Sequence, residues 1–583
     1  MLSLAAGCAA VFPAADAERA EESVPETVRP IEKAEATEGV LRDNRALYEA
    51  EDNLSVITMY LTVSRGNSAD GSDHTWEEVN AHSAYYYNAK GIDRYKAEGI
   101  LQIDETGEGV GEGSFGYGET VPNVSVQIRG QASSQSAQKN YKIRIKEDRG
   151  TFRGQRTLNL NKHQNDPYRF LNKLSYDLLT SIPQLLSGRT QFVHLYVDDR
   201  TEDHAQGFAD YGLYTMVEQV NRTYLRSHGL DENGQLYKVN FFEWGKYEAV
   251  MMSPDDPEFD RAQLESYLEI KGDEDLGKLQ SVIEQVNNYA IPIERIIDEH
   301  FDAENICYWM AFNILIGNYD VGARNLFLYS PLNSQKFYMI CWDMDAAFRT
   351  SYLAETGYHE AESWEHGLTQ YLGLTLIRRM MQAPAYRQML MRAVDDLYQN
   401  HITAAVVSEK VERCRQVTAP FLFAQPDLGN APIRNRAVYD RLTARIGSEV
   451  DANYAVFQES LQKPWPFFVG VPAADPDGEG LVLTWGASYD CRGEEITYRY
   501  VLARDPLFTD VIDREDGLRV PLAVTGSLTP GTYFLRVVAT NASGRSMECF
   551  DYYNVDDYGK SYGCYAFVVH ADGTITALES GET

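Results

Sequence analysis

Asp320 and Asn325 stand five positions apart in Asp320-Val-Gly-Ala-Arg-Asn325, and Trp342-Asp343-Met344-Asp345 follows after a stretch that reads as a β-hairpin. That order of side chains suits phosphoryl transfer. The first carboxylate takes the proton of an attacking hydroxyl, while the amide oxygen and the later carboxylate hold a divalent ion on the phosphates. Asp343 is the leading metal-ligand candidate, because a carboxylate ending an apolar strand is costly unless something pairs with it. Asn325 offers a neutral oxygen, although Asn is also common where a loop turns into a strand. Asp345 is either a second ligand or a cap for the next segment. Asp320 has a plainer role open to it as a helix cap, but Gly317-Asn318 already supply the stop signal.

The flanking elements fit that chemistry. Residues 305–316 (NICYWMAFNILI) are apolar nearly all round and read as a buried helix feeding the loop. Leu326-Phe-Leu-Tyr329 and Lys336-Phe-Tyr-Met-Ile-Cys-Trp342 read as two strands across the turn-rich Ser-Pro-Leu-Asn-Ser-Gln. Such a hairpin brings Asn325 and Asp343 to one end of the strand pair.

The chain of 583 residues is long enough for more than one domain, and its composition is that of a globular protein. A net charge of −33 argues against a nucleic-acid partner, but it leaves room for a phosphate ligand in a locally cationic cleft. Met1-Leu-Ser-Leu-Ala-Ala-Gly-Cys8 reads as the tail of a bacterial lipoprotein signal, with Cys8 acylated and an acidic tether following to about residue 50. A chance match is the alternative, since a basic leader segment and most of the apolar core are missing from it. Cys307, Cys341, Cys414, Cys491, Cys549 and Cys564 show no CxxC pairing, which disfavours zinc; their even number permits disulfides.

Alternating patterns at 55–63, 99–103, 124–129, 140–146, 191–197, 212–217 and 235–240 predict a mixed sheet in the first third, with an amphipathic helix at 167–181 set among them. In 140–146, Tyr141, Ile143 and Ile145 face one way and Lys142, Arg144 and Lys146 the other. From about residue 258 spacings of three and four predict helices. A β-rich front and a helical back, with the Asp320 loop between, describe a two-lobed α+β domain over 51–463. After Pro464-Trp-Pro the pattern is all β to residue 583. Trp485, Tyr500 and Leu528-Thr-Pro-Gly-Thr-Tyr533 in that stretch resemble a fibronectin type III sandwich of the immunoglobulin-like class. Gly107-Glu-Gly-Val-Gly-Glu-Gly-Ser-Phe-Gly116 reads as a surface loop, because its glutamates would repel phosphate.

Six segments in order resemble the CotH kinase family (spore coat protein H and relatives). They are Arg129-Gly-Gln-Ala-Ser-Ser134 with Lys139-Asn-Tyr-Lys-Ile-Arg-Ile-Lys146; Leu158-Asn-Leu-Asn161; Leu171-Asn-Lys-Leu-Ser-Tyr-Asp177; Gly212-Leu-Tyr-Thr-Met-Val-Glu-Gln-Val220; Gly317 to Asn325; and Trp342 to Phe348. The resemblance implies an atypical kinase fold, Mg²⁺ or Mn²⁺ with ATP, and Asp320 as the catalytic residue. It also implies Lys142 as a clamp on the nucleotide phosphates, against the plainer reading of a solvated cationic stripe. Arg129 and Ser133 would line the phosphates, Arg324 would contact a phosphate or pair with an acidic neighbour, and Glu218 would present backbone to the base. An acidic partner for Lys142 is not evident; Asp177 is the candidate. Two functions from different classes follow: an extracytoplasmic, membrane-tethered kinase acting on a protein hydroxyl at the cell surface, or a non-catalytic adhesion or scaffold protein on a kinase-like fold. The intact Asp320, Asn325 and Asp343 set favours the first. A glycosidase is disfavoured, because nothing sets two acids on facing strands.

Overall fold

A computed structural model describes residues 41–49, 54–202, 207–357, 364–476, 478, 480–555 and 559–578. Cys8 and nearly all of the acidic tether lie outside these residues. Among the described residues no helix is long and apolar enough to cross a membrane. The chain forms two compact units.

The larger unit contains 41–356 and 383–451. Its first part is a closed seven-stranded barrel of β1 (Val56–Ser64), β2 (Lys96–Asp104), β3 (Val124–Arg129), β4 (Asn140–Ile145), β5 (Thr157–Asn161), β6 (Thr190–Asp199) and β7 (Ala209–Glu218), in the order β1-β2-β3-β4-β5-β7-β6. The strands alternate as their sequences predict. Ile57, Met59, Leu61 and Val63 of β1 point inward with Tyr141, Ile143 and Ile145 of β4, leaving Lys142 and Arg144 on the outer face. The mixed sheet expected from sequence is thus rolled up and closed by a parallel β1–β6 pair, Val56 opposite Phe192. Closure removes the sheet edges that an open sheet would expose.

A second sheet, ordered β11-β10-β8-β9, holds β8 (Gln235–Val239), β9 (Leu268–Ile270), β10 (Leu326–Ser330) and β11 (Tyr338–Cys341). Helices complete this unit. Ala303–Leu315 starts on Asp302, whose carboxylate accepts the Asn305 N–H at 2.9 Å, and stops where Gly317 turns to φ +62°. The helix expected to be amphipathic near 167–181 runs Leu171–Leu179 and is buried along its whole length, polar residues included. Buried polar groups need partners. Lys173 Nζ lies 3.1 Å from Asp177 Oδ1, so Asp177 serves its own helix; the expectation that it partners Lys142 is corrected.

A buried charge network ties the start of this unit to the barrel. His228 Nδ1 stands 2.6 Å from Asp43 and its Nε2 3.2 Å from Glu218, while Arg189 Nε donates to Glu218 at 3.1 Å. Burial alone would lower the imidazole, but Glu218 and Asp43 outweigh it and push His228 up to about 9. Burial likewise acts to raise Glu218, yet His228 and Arg189 hold it down at about 2. The histidine's contribution is complete below its unfolded value of 6.5 and fades as pH climbs through about 9. The glutamate's is complete above 4.5 and fades as pH drops towards 2. Melting temperature should therefore be flat between these limits and fall on both sides. His228→Gln should lower stability by roughly 3 kcal/mol, because it leaves Asp43 buried without a cation and Glu218 with Arg189 alone. The variant should also lose most of the alkaline decline. A wild-type profile retained in the variant would show that His228 is neutral in the fold.

The second unit contains 364–382 and 452–578 and is β-rich. One sheet has β12 (Ala473–Ala474), β13 (Leu481–Thr484) and β16 (Leu522–Thr525). The other is built on β15 (Val511–Leu518), β14 (Ile496–Ala503), β17 (Gly531–Asn541), β21 (Cys564–Val569) and β22 (Ile575–Ala577), with β18 (Ser546–Glu548) against β17. Between β18 and β21, β19 (Tyr552–Val555) and β20 (Gly559–Tyr562) pair with each other. One core spans the unit, with Trp485, Tyr500, Leu535, Val537 and Phe567 in it. By its contacts the unit also takes in residues 364–382 and 452–463. Residues 364–382 join it because Trp364 packs edge-on to Phe550, Glu365 meets Lys560 at 2.7 Å, and Arg378 lies over the Trp465 ring. Such contacts between distant segments leave no trace in local composition. Cys307, Cys341, Cys414, Cys491, Cys549 and Cys564 form no disulfide.

Candidate functional site

The β10–β11 hairpin sets the site's frame. Leu326 pairs with Cys341 and Tyr329 with Tyr338, so Asn325 and Asp343 emerge from the same end. The buried Ala303–Leu315 helix leads into the loop that carries Asp320, and with Gly317 and Asn318 closing that helix, Asp320 stands in the loop half-buried. Asn325 Nδ2 donates to both the Asp320 carbonyl at 2.7 Å and its carboxylate at 2.9 Å. The amide thus holds the carboxylate in place.

Backbone geometry marks the same residues. Asn325 (φ +58°), Asp343 (φ +54°) and His163 (φ +47°) all sit in the left-handed region. Asn and Asp tolerate that region better than other L-residues, and non-glycine outliers gather where a structure over-determines side-chain direction. Turning the chain at Asp343 lets Met344 bury completely while the carboxylates of Asp343 and Asp345 stay half-exposed. Met344 N–H donates to Asn172 Oδ1 at 3.0 Å, and Phe348 N–H to the Ile316 carbonyl at 2.8 Å, so this segment is pinned at both ends.

Charges converge on the two carboxylates. Asp343 is held above the usual carboxylate range, first by burial and then by Asp345; Arg129, His163 and Lys238 oppose the shift. Asp345 is held below that range, since His163 and Arg349 outweigh the effect of its burial. His163 Nδ1 is 3.5 Å from Asp345 Oδ2, and the other ring nitrogen is 3.3 Å from the Asn172 amide. Asp320 is raised by burial and by Asp345, with Arg324 and Asn325 acting against them. A raised carboxylate is a stronger proton acceptor once ionised, which suits a general base.

Arg129, at the end of β3, donates to Asn161 and feels the charge of Asp343. Ser133 lies in the β3–β4 turn beyond it. Its Oγ accepts from Asn140 Nδ2 at 3.0 Å, which leaves the hydroxyl hydrogen to be given elsewhere. Gly130 makes this turn possible, because a Cβ there would lie 2.0 Å from Ser133 Oγ. Arg324 stands 3.8 Å from Asp320 with its guanidinium over the Phe241 ring. Lys142 sits on the outer face of β4 opposite Gln127, and its charge reaches Glu269 of β9. Glu218 is elsewhere. Its carboxylate is enclosed by Arg189 and His228 and its N–H donates to the Arg189 carbonyl at 2.9 Å, so the expected contact with a nucleotide base is corrected.

His163, Asn172, Lys238 and Arg349 did not stand out in the sequence as site residues. Asn172 carried a usable signal, a polar residue among Leu171, Leu174 and Leu178, and His163 lies two positions after the Leu158–Asn161 segment. Among the described residues no three His, Cys, Asp or Glu side chains form a ready-made metal cluster. The donor set still fits a hard divalent ion. Asp343, Asp345 and the Asn325 oxygen are all oxygen donors, and such ions take one or two carboxylates and draw further ligands from phosphates and water.

The family model described as CotH kinase protein matches residues 126–462. The chain belongs to this family. It is 23% identical over 309 residues to the inner spore coat protein H of Bacillus subtilis (strain 168), across 52% of this chain and 79% of that protein. Among solved structures, the Helicobacter pylori proinflammatory kinase CtkA aligns at 9% identity with a TM-score of 0.26, covering 55% of this chain and 94% of that one. Superposition that loose carries no weight for site or fold. Membership makes this a kinase-like protein. The matched span begins within β3 and includes every residue gathered around Asp343.

Proposed function

We propose that this CotH kinase family member is an extracytoplasmic kinase that passes the γ-phosphoryl group of ATP to a protein hydroxyl. The observation that carries the reading is Asp320 clasped by Asn325 at the same hairpin end that presents Asp343. Asp320 accepts the proton of the acceptor hydroxyl as that oxygen bonds to the γ-phosphorus, and the β–γ bridging P–O bond breaks to leave ADP. Asn325 fixes the base, and Arg129 faces the developing negative charge. Asp343 and Asp345, with Asn325, would hold Mg²⁺ or Mn²⁺, which when bound neutralises charge on the phosphates. His163 and Asn172 keep the Asp343–Asp345 segment in position.

Placement outside the cytoplasm rests on the lipoprotein-like Met1-Leu-Ser-Leu-Ala-Ala-Gly-Cys8 and the acidic stretch after it. Acyl chains on Cys8 would hold the protein at a membrane despite its charge. For the β-rich unit we favour a fibronectin type III-like sandwich. Tyr533 at the start of β17 donates from its hydroxyl to the Thr529 carbonyl at 2.7 Å, the corner that recurs in such sandwiches.

Incubating the purified protein with γ-labelled ATP and Mg²⁺ or Mn²⁺ tests the activity. Label should appear on the protein itself or on an added acceptor protein. No transfer with either ion would overturn the kinase reading and leave a binding role for the same fold.

A further inference from the structure

Lys238 lies on β8, a strand of the second sheet, outside every segment singled out for chemistry. Cross-strand pairing sets it opposite Phe327 of β10 on one side and Glu269 of β9 on the other. Just beyond the end of β8, the Phe242 N–H donates to the Ala323 carbonyl at 2.7 Å, which ties this part of the chain to the Asp320 loop. Its ammonium is half-buried and stands 4.0 Å from Glu269, whose carboxylate is held more tightly by Lys271 at 2.6 Å. Lys238 is also near enough to Arg129 and Asp343 for each to act on its charge.

The local balance of charge is unusual. In a chain of net −33, Lys142, Lys238, Lys271 and Arg129 gather around one enclosed carboxylate, Glu269, and one metal-ligand candidate, Asp343. Lysines on a strand are ordinarily edge guards facing water. Lys238 departs from that reading in its neighbours, because it shares Glu269 with Lys271 and its charge is felt by Arg129. Cations crowded together in a partly desolvated place repel one another, and an anion of several charges relieves the repulsion. The Asp320 loop and the Asp343 carboxylate define where such an anion would lie.

We propose that Lys238, held in place by Glu269, is a phosphate-binding residue of the site, reaching the triphosphate of the nucleotide from the second sheet while Arg129 reaches it from the barrel. This deepens the kinase reading and rests on it. The phosphates would be gripped from both structural layers, with one cation on each. Glu269 is a positioning residue. By engaging Lys271 closely and Lys238 loosely, it orients the second ammonium without neutralising it. Lys142, on the barrel face near the same carboxylate, adds to the positive field.

Titration of a fluorescent ATP analogue, with Mg²⁺ present, into wild type, Lys238→Met, Lys238→Arg and Glu269→Gln tests the assignment. Loss of one charge-assisted contact to phosphate should weaken binding by about 10- to 100-fold in Lys238→Met. Lys238→Arg should recover most of the affinity, and Glu269→Gln should fall between. Inorganic tripolyphosphate should compete against wild type and fail to compete in Lys238→Met. Circular dichroism melts would show whether each variant is folded. A folded Lys238→Met that binds within twofold of wild type overturns the role of Lys238 and leaves the kinase reading standing. Wild-type protein that holds neither the analogue nor tripolyphosphate overturns both. A Lys238→Arg variant as weak as Lys238→Met would also count against a charge contact, since it would point to packing.

Discussion

Asp320→Ala should lower phosphate transfer by roughly 10²- to 10⁴-fold, the range a positioned general base contributes. Thermal stability should scarcely change. The Asp320 side chain is half-exposed on a loop, and Asn325 keeps its bond to the Asp320 carbonyl when the carboxylate is gone. Surface and cleft positions of that kind usually shift stability by less than about 0.5 kcal/mol. Asp320→Asn is the sharper probe. It preserves volume and much of the hydrogen-bonding geometry, yet it cannot take up a proton. Nucleotide affinity should survive in both variants, because Asp320 faces the acceptor hydroxyl rather than the phosphates. Transfer within a few-fold of wild type in either variant would remove Asp320 from the chemistry. Loss of nucleotide binding along with transfer would assign it to the binding site instead.

What the sequence disclosed followed the range of its signals. Residues 305–316 were legible as a buried helix and 326–342 as a hairpin because each pattern is complete within a dozen or so residues, and the structure has Ala303–Leu315, Leu326–Ser330 and Tyr338–Cys341 there. The inward set Tyr141, Ile143 and Ile145 was legible for the same reason. Barrel closure was not. It depends on β1 pairing in parallel with β6, strands more than a hundred residues apart, and no local periodicity encodes which edges meet.

The site divides in the same way. Asp320, Asn325, Asp343 and Asp345 stood out as candidates by their spacing across the loop and the hairpin that follows it. The residues that hold the Asp343–Asp345 segment come from elsewhere: His163 after β5 and Asn172 on the Leu171–Leu179 helix. Side chains of that kind look ordinary until the fold assembles them. Glu218 shows the opposite error. Its place in a family-like segment suggested a role at the nucleotide, whereas Arg189 and His228, outside that segment, enclose it in an ion network that extends to Asp43. A segment's position in order does not report which of its atoms are already engaged.

Asp343→Asn should sharply weaken metal-dependent nucleotide binding, leaving Asp345 as the one carboxylate for the ion, while leaving the protein as stable as wild type or more so. A divalent ion on phosphates needs an anionic protein ligand, and an amide oxygen carries no net charge. The stability half of the expectation comes from the electrostatics of the pair. Burial and the neighbouring Asp345 hold Asp343 above the usual carboxylate range, so its ionised form is disfavoured in the folded protein. Such a group weakens the fold at neutral pH relative to acid, and removing its charge removes that penalty. Asparagine is the right replacement because Asp343 has φ +54°, which Asn adopts readily. Asp343→Ala would add about 1 kcal/mol of backbone strain and blur the comparison. Asp345→Asn should behave differently. Its carboxylate is stabilised by His163 and Arg349, so neutralising it forfeits those interactions and lowers the melting temperature. Nucleotide titrations with and without Mg²⁺, beside melting curves near neutral pH, separate the two carboxylates. Equal Mg²⁺-dependent affinity in wild type and Asp343→Asn would show that the ion is held elsewhere. A large drop in melting temperature for Asp343→Asn would mean that Asp343 is a structural partner of Arg129, its charge balanced within the fold rather than kept for a metal.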